Sequence, residues 1–275
     1  DNAGGQHRFP LEDIAVLVLE SQPCSLTSAL LAACNEHGVA VVVCDARHTP
    51  CGLLLPFHQH SRFAEVAAMQ MAASEPLKKR AWQSLVRQKI LNQAFSLKQA
   101  GAGEANALQA MAARVASGDT GGCEAHAAQI YWQALFETGF RREGRGANDH
   151  INAALNYGYA LVRAAVARGL VSYGLMPAFG VFHASQLNAF NLADDFVEPF
   201  RPFVDVCVWN LWREQHLSEF GIGQRRAMMG VLSMDCKIRG ETFTVLRAAD
   251  VAAASYASAL RQGSAAALQL PAFAA

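Results

Sequence analysis

Short apolar segments near the start of the chain have the pattern of buried β-strands. Ile14 to Leu19 and Val39 to Cys44 are rich in β-branched and other apolar residues, which pack well on a pleated sheet. Between them, Ser25 to Glu36 is predicted to be helical. A third strand, Gly52 to Phe57, is predicted after the turn at Pro50. The first part of the chain therefore predicts a small β-rich unit.

The rest of the chain has the pattern of long helices. Proline lacks an N–H and its ring clashes with the preceding turn, so it interrupts helices; it is absent from Leu77 to Met176 and from Phe203 to Leu270. Helices are predicted over residues 64–73, 76–98, 104–116, 121–139, 148–173, 184–198, 203–218 and 248–262. A short hairpin is predicted between Cys236 and Val245.

These elements predict an α+β protein in two parts. Residues 1–60 are expected to form a small N-terminal β-rich domain, and residues 61–275 a larger all-α domain, with a linker near His58 to Ala64. A chain of 275 residues with 52% apolar content is long enough to bury one large core or two modest ones.

Composition argues against a membrane protein and against a disulfide scaffold. The longest apolar runs are much shorter than the about 20 residues that a bilayer-spanning helix needs, so no membrane interaction is predicted. Seven cysteines, an odd number without a C-x-x-C pair, do not suit a disulfide framework or a zinc knuckle. The expected compartment is the reducing cytoplasm.

A net charge of zero conceals a basic segment. No acidic residue lies between Glu75 and Glu104, and this segment carries six cations, namely Lys78, Lys79, Arg80, Arg87, Lys89 and Lys98. Such a group on one helix is able to follow a phosphate backbone. A solvated helix face that pairs with acidic residues elsewhere is an equally good interpretation.

The common nucleotide and protease signatures do not occur. The chain has no G-x-x-x-x-G-K-[ST] loop, no complete G-x-G-x-x-G after a strand and no H-E-x-x-H. Neither ATP nor NAD is therefore predicted as a cofactor.

One block, Gly180 to Pro202, combines a histidine with several carboxylates. Asp195 and Glu198 are three positions apart on a predicted helix and share a face, whereas Asp194 points about 100° away. Two neighbouring carboxylates repel unless a cation lies between them. Together with His183 they suit Mn²⁺ or Mg²⁺. The alternative is an acidic helix end beside a hydrogen-bonded core histidine.

A second block, Gly118 to Trp132, places Glu124 in the first turn of an alanine-rich helix. Small neighbours allow another helix to approach closely. Glu124 is therefore either a partner of the helix dipole or a site residue. Asp119 and His126 are the competing candidates in the same block.

Three strings together resemble one protein family. They are H-x6-F-N-L-A-x-D-x-x-E-P-F-R-P from His183, G-D followed by E-x-x-A-A-x-x-Y-W from Glu124, and D-x-x-N-x-x-L-N-Y-G-Y-A-L-x-R from Asp149. They resemble the CRISPR-associated integrase, the universal adaptation nuclease, in the form found in type II systems. The segments 10–14 and 38–45 look like the β domain of this family, so the resemblance covers nearly the whole chain.

The resemblance implies a metal-dependent DNA integrase and endonuclease that inserts short foreign DNA, called spacers, into a CRISPR array. It implies that Glu124, His183 and Glu198 hold a Mg²⁺ or Mn²⁺ ion, with Asp195 beside them as a further catalytic residue. A DNA 3′-hydroxyl then attacks the repeat backbone, and one phosphodiester replaces another.

The resemblance also implies partners. These are double-stranded DNA (the spacer precursor and the CRISPR repeat), a second copy that dimerises through residues 1–60, and a smaller ferredoxin-like adaptation protein. Two features depart from the family pattern. Gly122 stands where relatives often have asparagine, and the first strands expected before Pro10 are missing.

Two other functions remain open on the sequence alone. One is a non-catalytic DNA-binding scaffold of the same fold, whose carboxylates are structural. The other is an unrelated helical metal hydrolase for a small substrate, which the basic segment disfavours.

Overall fold

A small sheet precedes a larger helical region, which confirms the predicted α+β class. The computed structural model describes residues 7–20, 23–57, 60–136, 139–144, 149–214 and 217–274. The strands in these ranges are β1 (Val16–Leu19), β2 (Ala40–Cys44), β3 (Pro50–Leu54), β4 (Asp235–Ile238), β5 (Glu241–Thr244) and β6 (Ala272–Phe273). The α-helices are α1 (Ser28–Glu36), α2 (Phe63–Met71), α3 (Glu75–Ala100), α4 (Ala105–Ala113), α5 (Cys123–Leu135), α6 (His150–Ser172), α7 (Asn191–Val197), α8 (Arg201–Arg213), α9 (Ile222–Met229) and α10 (Val245–Gln262).

The N-terminal sheet has the order β1-β2-β3. β1 and β2 are parallel and therefore need a crossover, which α1 supplies; β3 returns antiparallel, with Val41 opposite Leu54. One face of the sheet packs on α1 through Cys34 and Val41. On the other face Val42 packs with Ala164 of α6, so this small unit rests directly on the helical region.

Helix α3 lies at the centre of the helical region and packs against α4, α5 and α8. It begins after Ser74, whose hydroxyl accepts a hydrogen bond from the N–H of Leu77, and it ends at Gly101, with φ of 75°. Its buried face carries Trp82 and also a charged residue, Lys89, which is only 8% exposed. A buried lysine in a long helix requires nearby counter-charges.

Helices α6 and α10 pack closely against each other. A side chain at Gly169 would bring its Cβ to 3.1 Å from the carbonyl oxygen of Ala249, so glycine permits this approach. The side chain of Asp149 caps α6 by accepting the N–H of Asn152 at 2.8 Å.

Several predicted boundaries were wrong. The helix predicted over 184–198 is only α7, because residues 180–190 form an irregular loop, and the third strand begins two residues earlier than predicted. The helix predicted from Ser25 begins at Ser28, with Thr27 as its cap. Parts of the predictions at 58–59, 137–138, 148 and 215–216 lie outside the described residues.

The region predicted to be all-α contains a second small sheet, ordered β5-β4-β6. The predicted hairpin is β4–β5, and β6 near the end of the chain joins it with Ala272 opposite Lys237. Helix α9 was not predicted. In the ranges that the structure describes, no helix is both long enough and apolar enough to cross a membrane.

Candidate active site

Glu124 lies in the first turn of α5, facing α3. Gly122 precedes it with φ of 64°, a left-handed conformation that glycine and asparagine adopt most readily. The carboxylate of Asp119 accepts the N–H of Cys123 at 2.9 Å and that of Glu124 at 3.0 Å. Asp119, a competing candidate on the sequence, is thus a capping residue that fixes the backbone of Glu124.

Glu198 lies where α7 passes through one 3₁₀ turn into α8, and it is 4% exposed. Proline at 199 and at 202 removes two backbone donors from this junction. The side-chain amide of Asn92, on α3, donates to the carbonyl oxygen of Pro199 at 2.7 Å. Asn92 therefore ties the Glu198 turn to α3, a role that the sequence did not reveal.

Lys89 joins the two glutamates. Its Nζ atom lies 2.7 Å from Oε1 of Glu124 and 2.5 Å from Oε2 of Glu198. Arg201 lies on the other side, with Nε 2.8 Å from Oε1 of Glu198. The sequence grouped Lys89 with the five other cations of α3 in one basic segment. The structure divides this group, because Lys89 lies across α3 from Arg80 and Arg87, which are exposed.

The charges of this cluster stabilise one another. Burial alone would raise the pKa of Glu198, but the Arg201 and Lys89 cations lower it to about 2. Burial alone would lower the pKa of Lys89, but the carboxylates of Glu198 and Glu124 raise it. Glu198 and Lys89 therefore both carry their charge across the physiological pH range.

His183 is held by Asp195 rather than by the glutamates. Oδ1 of Asp195 lies 2.6 Å from Nδ1 of His183 and also accepts its backbone N–H at 3.1 Å. Oδ2 accepts the N–H groups of Val181 and Phe182. Asp195 is fully buried, and its hydrogen bond raises the pKa of His183. This pairing leaves Nε2 of His183 available to a ligand.

Trp82 fixes the position of this histidine along α3. Its ring stacks on Phe182 at 4.2 Å and meets the ring of His183 edge-on at 5.8 Å. Trp82 and Lys89 share a face of α3 and are about 10 Å apart along the helix axis. The carboxylate of Glu198 also acts to raise the pKa of His183, so the histidine lies within electrostatic range of the glutamate pair.

Two other competing candidates point elsewhere. His126 is exposed on α5. Asp194 lies 3.6 Å from Arg163 and accepts a hydrogen bond from Asn188 at 2.7 Å. Neither side chain therefore belongs to the charged cluster formed by Lys89, Glu124, Glu198 and Arg201.

The donor chemistry suits a hard divalent cation. Two carboxylates meet at one cationic atom, and Oε2 of Glu198 has no hydrogen bond of good geometry within the described ranges. As the side chains lie, however, no group of three or more His, Cys, Asp or Glu among the described residues is arranged to hold a metal ion. Lys89 lies between the glutamates.

Two cavities with cationic side chains lie near these residues, one of them beside Arg201. A cleft of about 270 Å³ is lined by Arg142, Arg163 and Arg201, and a larger cavity of about 460 Å³ adjoins His183 and Lys78. The guanidinium groups of Arg142 and Arg201 both lie over the ring of Tyr159, at 5.1 and 4.6 Å. This arrangement suits phosphate groups.

A third buried carboxylate, after Asp195 and Glu198, lies on the same helical run. Asp205 of α8 is 1% exposed and accepts hydrogen bonds from Tyr131, at 2.9 Å, and from Tyr159. Burial raises the pKa of Asp205 to about 7, although both phenol hydrogen bonds act to lower it.

Comparison of the sequence with known families gives one match over most of the chain. The family described as CRISPR associated protein Cas1 matches residues 1–234. The chain is 44% identical to the CRISPR-associated endonuclease Cas1 of Neisseria meningitidis serogroup C (strain 8013), over 98% of this chain and 88% of that protein. It is 31% identical to the CRISPR-associated endonuclease Cas1 1 of Pyrobaculum aerophilum, over 82% of this chain and 80% of that protein.

Solved structures show the same fold at lower identity. A casposase bound to an integration product superposes with a TM-score of 0.74 at 20% identity, covering 91% of this chain and 79% of the casposase. A Cas6-RT-Cas1–Cas2 complex gives a TM-score of 0.71 at 17% identity, covering 93% of this chain and 32% of the other chain.

Proposed function

Because the chain belongs to the Cas1 family of CRISPR-associated proteins, we propose that it is a metal-dependent DNA endonuclease and integrase that inserts spacers into a CRISPR array. The observation that carries this proposal is the convergence of Glu124 and Glu198 on one buried cation position. The names of the relatives, CRISPR-associated endonucleases, support the same activity.

Glu124, Glu198 and Nε2 of His183 would hold Mg²⁺ or Mn²⁺, ions that accept carboxylate and imidazole ligands. When bound, such an ion neutralises charge on the phosphate oxygens and helps to orient the attacking oxygen. Asp195 is a positioning residue, because it holds Nδ1 of His183 and thereby directs Nε2 away from itself.

In the integration reaction, the 3′-hydroxyl of the incoming DNA loses its proton to solvent and its oxygen bonds to phosphorus in the repeat. The bond from phosphorus to the 3′-oxygen of the repeat strand breaks, and this oxygen takes up a proton from solvent and leaves as a new 3′-hydroxyl, so one phosphodiester replaces another. The nearly equal energy of the two bonds fits a chain without an ATP-binding motif. Water in place of the 3′-hydroxyl gives strand cleavage.

The partners follow from the same proposal. The arginine-lined cleft and the exposed cations Arg80 and Arg87 support binding of double-stranded DNA. Joining two DNA ends needs two active sites, which favours a two-fold homodimer. The likeness to chains solved as Cas6-RT-Cas1–Cas2 complexes supports a smaller Cas partner, which we expect to be ferredoxin-like.

A non-catalytic DNA-binding scaffold is the second candidate, because Lys89 and Arg201 together already neutralise both glutamates. Joining of a 3′-hydroxyl duplex to repeat DNA, with Mn²⁺ or with EDTA, separates the two functions. The enzyme should join strands only with metal, and Glu124→Ala should abolish joining, whereas His126→Ala on the exposed face of the same helix should not. A Glu124→Ala protein with full activity would exclude the proposed site.

A further inference from the structure

The buried cluster is electrically complete without any metal. Glu124 and Glu198 contribute two negative charges, and Lys89 and Arg201 contribute two positive charges, with N–O distances of 2.5 to 2.8 Å. A divalent ion added to this neutral cluster would bring two excess positive charges into a partly buried site. Such an excess is costly where water is excluded, unless an anion arrives with the ion.

Lys89 also occupies the space that a metal would need. Its Nζ atom contacts one oxygen of each glutamate, and Arg201 contacts the other oxygen of Glu198. A Mg²⁺ or Mn²⁺ ion binds oxygen at about 2.1 Å. It is therefore unable to share these oxygens with an ammonium group at the same position.

We propose that Lys89 is a built-in counter-ion of the Glu124–Glu198 pair. In the DNA-free protein its ammonium group keeps divalent metal away from the two carboxylates. When metal and DNA bind together, the side chain of Lys89 leaves the carboxylates and forms an ion pair with a DNA phosphate. This inference rests on the proposed metal-dependent function. Lysine suits the role because its charge sits on a flexible four-carbon stem and binds phosphate as a point charge.

The proposal predicts thermodynamic coupling. A DNA phosphate attracts Lys89 away from the glutamates, and the carboxylate oxygens then become available to the metal ion. DNA and metal should therefore strengthen each other's binding by the same factor. The opposite arrangement is a lysine that stays in place and orients both carboxylates towards a metal bound at their other edges. Removing Lys89 would then weaken metal binding instead of strengthening it.

The experiment measures Mn²⁺ binding, by electron paramagnetic resonance of the free ion, to the full chain with and without an uncleavable DNA duplex. In the DNA-free protein, Lys89→Met should bind Mn²⁺ about tenfold more tightly than the wild type, within the usual range of such couplings. Lys98→Met removes an exposed lysine from the same helix and should bind Mn²⁺ like the wild type when DNA is absent. DNA should raise the affinity of the wild type by about tenfold and that of Lys89→Met much less.

The outcomes separate the two proposals. Equal or weaker Mn²⁺ binding by folded Lys89→Met overturns the counter-ion role while leaving the metal site intact. Should Lys89→Met fail to fold, the wild type alone decides: equal Mn²⁺ affinity with and without DNA overturns the inference. Absence of Mn²⁺ binding by the wild type and Lys98→Met, even with DNA, overturns the metal-dependent function together with it.

Discussion

Two buried carboxylates on one helical run are stabilised in opposite ways. Glu198 is surrounded by two cations, Lys89 and Arg201, whereas Asp205 is held by two neutral phenols, those of Tyr131 and Tyr159. The pKa of Glu198 is lowered to about 2, despite burial, and burial raises that of Asp205 to about 7.

The difference indicates which carboxylate is able to exchange its partners. A cation that neutralises a carboxylate can be replaced by another cation, so the Glu198 cluster is suited to a metal. The phenols of Tyr131 and Tyr159 connect α5 and α6 to Asp205 of α8. They are neutral, so no cation at Asp205 is held in a position that a metal ion would take over. Asp205 therefore serves as a structural junction behind the site, even though it too is a perturbed carboxyl in the protein interior.

The largest effect should come from the neutral isostere of Glu198, compared with that of Asp205. Glu198→Gln removes a proposed ligand charge, and Mn²⁺-dependent strand joining should fall by about 100-fold or more. Asp205→Asn leaves an acceptor oxygen for only one of the two phenols, because Tyr131 and Tyr159 donate to different oxygens of Asp205. Since it removes no proposed metal ligand, it should lower joining by less than about tenfold.

Asp194→Asn is the control for Glu198→Gln, because Asp194 lies on the same helical run but pairs with Arg163. It should leave joining close to the wild-type rate. Equal losses for Glu198→Gln and Asp205→Asn would remove the distinction between site and junction.

The sequence predicted the long helices well, because proline gaps and apolar periodicity are local signals. It failed at residues 184–190, which were predicted as the first part of a helix over 184–198. There the side chain of Asp195 binds the N–H groups of residues 181–183, and that of Asn191 binds the carbonyl oxygens of Ala178 and Ser185. Such side-chain bonds to a loop leave no periodic pattern.

The surroundings of the candidate site were not predicted, for a similar reason. The resemblance selected Glu124, His183, Asp195 and Glu198, but nothing local distinguished Lys89 from the exposed cations of α3. Its partner Glu124 is 35 residues away in sequence. Helical periodicity was the one available signal: at 3.6 residues per turn, Lys89 lies on the face of α3 opposite Arg80 and Arg87.

The next effect concerns stability. Tyr159→Phe deprives buried Asp205 of one donor and should lower the free energy of unfolding by about 1–3 kcal/mol, measured by urea denaturation. At pH 8, where Asp205 is ionised, the same change should cost less in the Asp205→Asn background, because the amide is uncharged. A double-mutant cycle without any such coupling would mean that Asp205 and Tyr159 do not act as a unit.

A weaker effect is the pH dependence of stability. Folded Asp205 keeps its proton up to about pH 7, whereas in the unfolded chain it loses it near 3.8. The folded state therefore binds more protons in this window, so this group lowers stability as the pH rises from about 4 to 7. Asp205→Asn should remove this contribution, seen as a more favourable slope of Tm against pH. Glu198 acts oppositely: its contribution is lost as the pH falls from 4.5 towards 2. An unchanged slope between pH 4 and 7 would show that Asp205 titrates normally.

The smallest effect extends the comparison from carboxylates to cations. Lys89 and Arg201 are bound by buried carboxylates, whereas Arg80 and Arg87 are exposed on the other side of α3, where they are able to reach a phosphate backbone. Replacing both with alanine should weaken DNA binding about equally for all sequences. It should also reduce the slope of log affinity against log salt concentration by about 0.9 for each phosphate that the variant no longer neutralises.

The matched control is Arg247→Ala, which removes an exposed arginine of α10 beside Asp250 and should leave the slope unchanged. If the double variant and the control have the same slope as the wild type, the exposed face of α3 is a solvated surface, and the DNA path must run through the arginine-lined cleft instead.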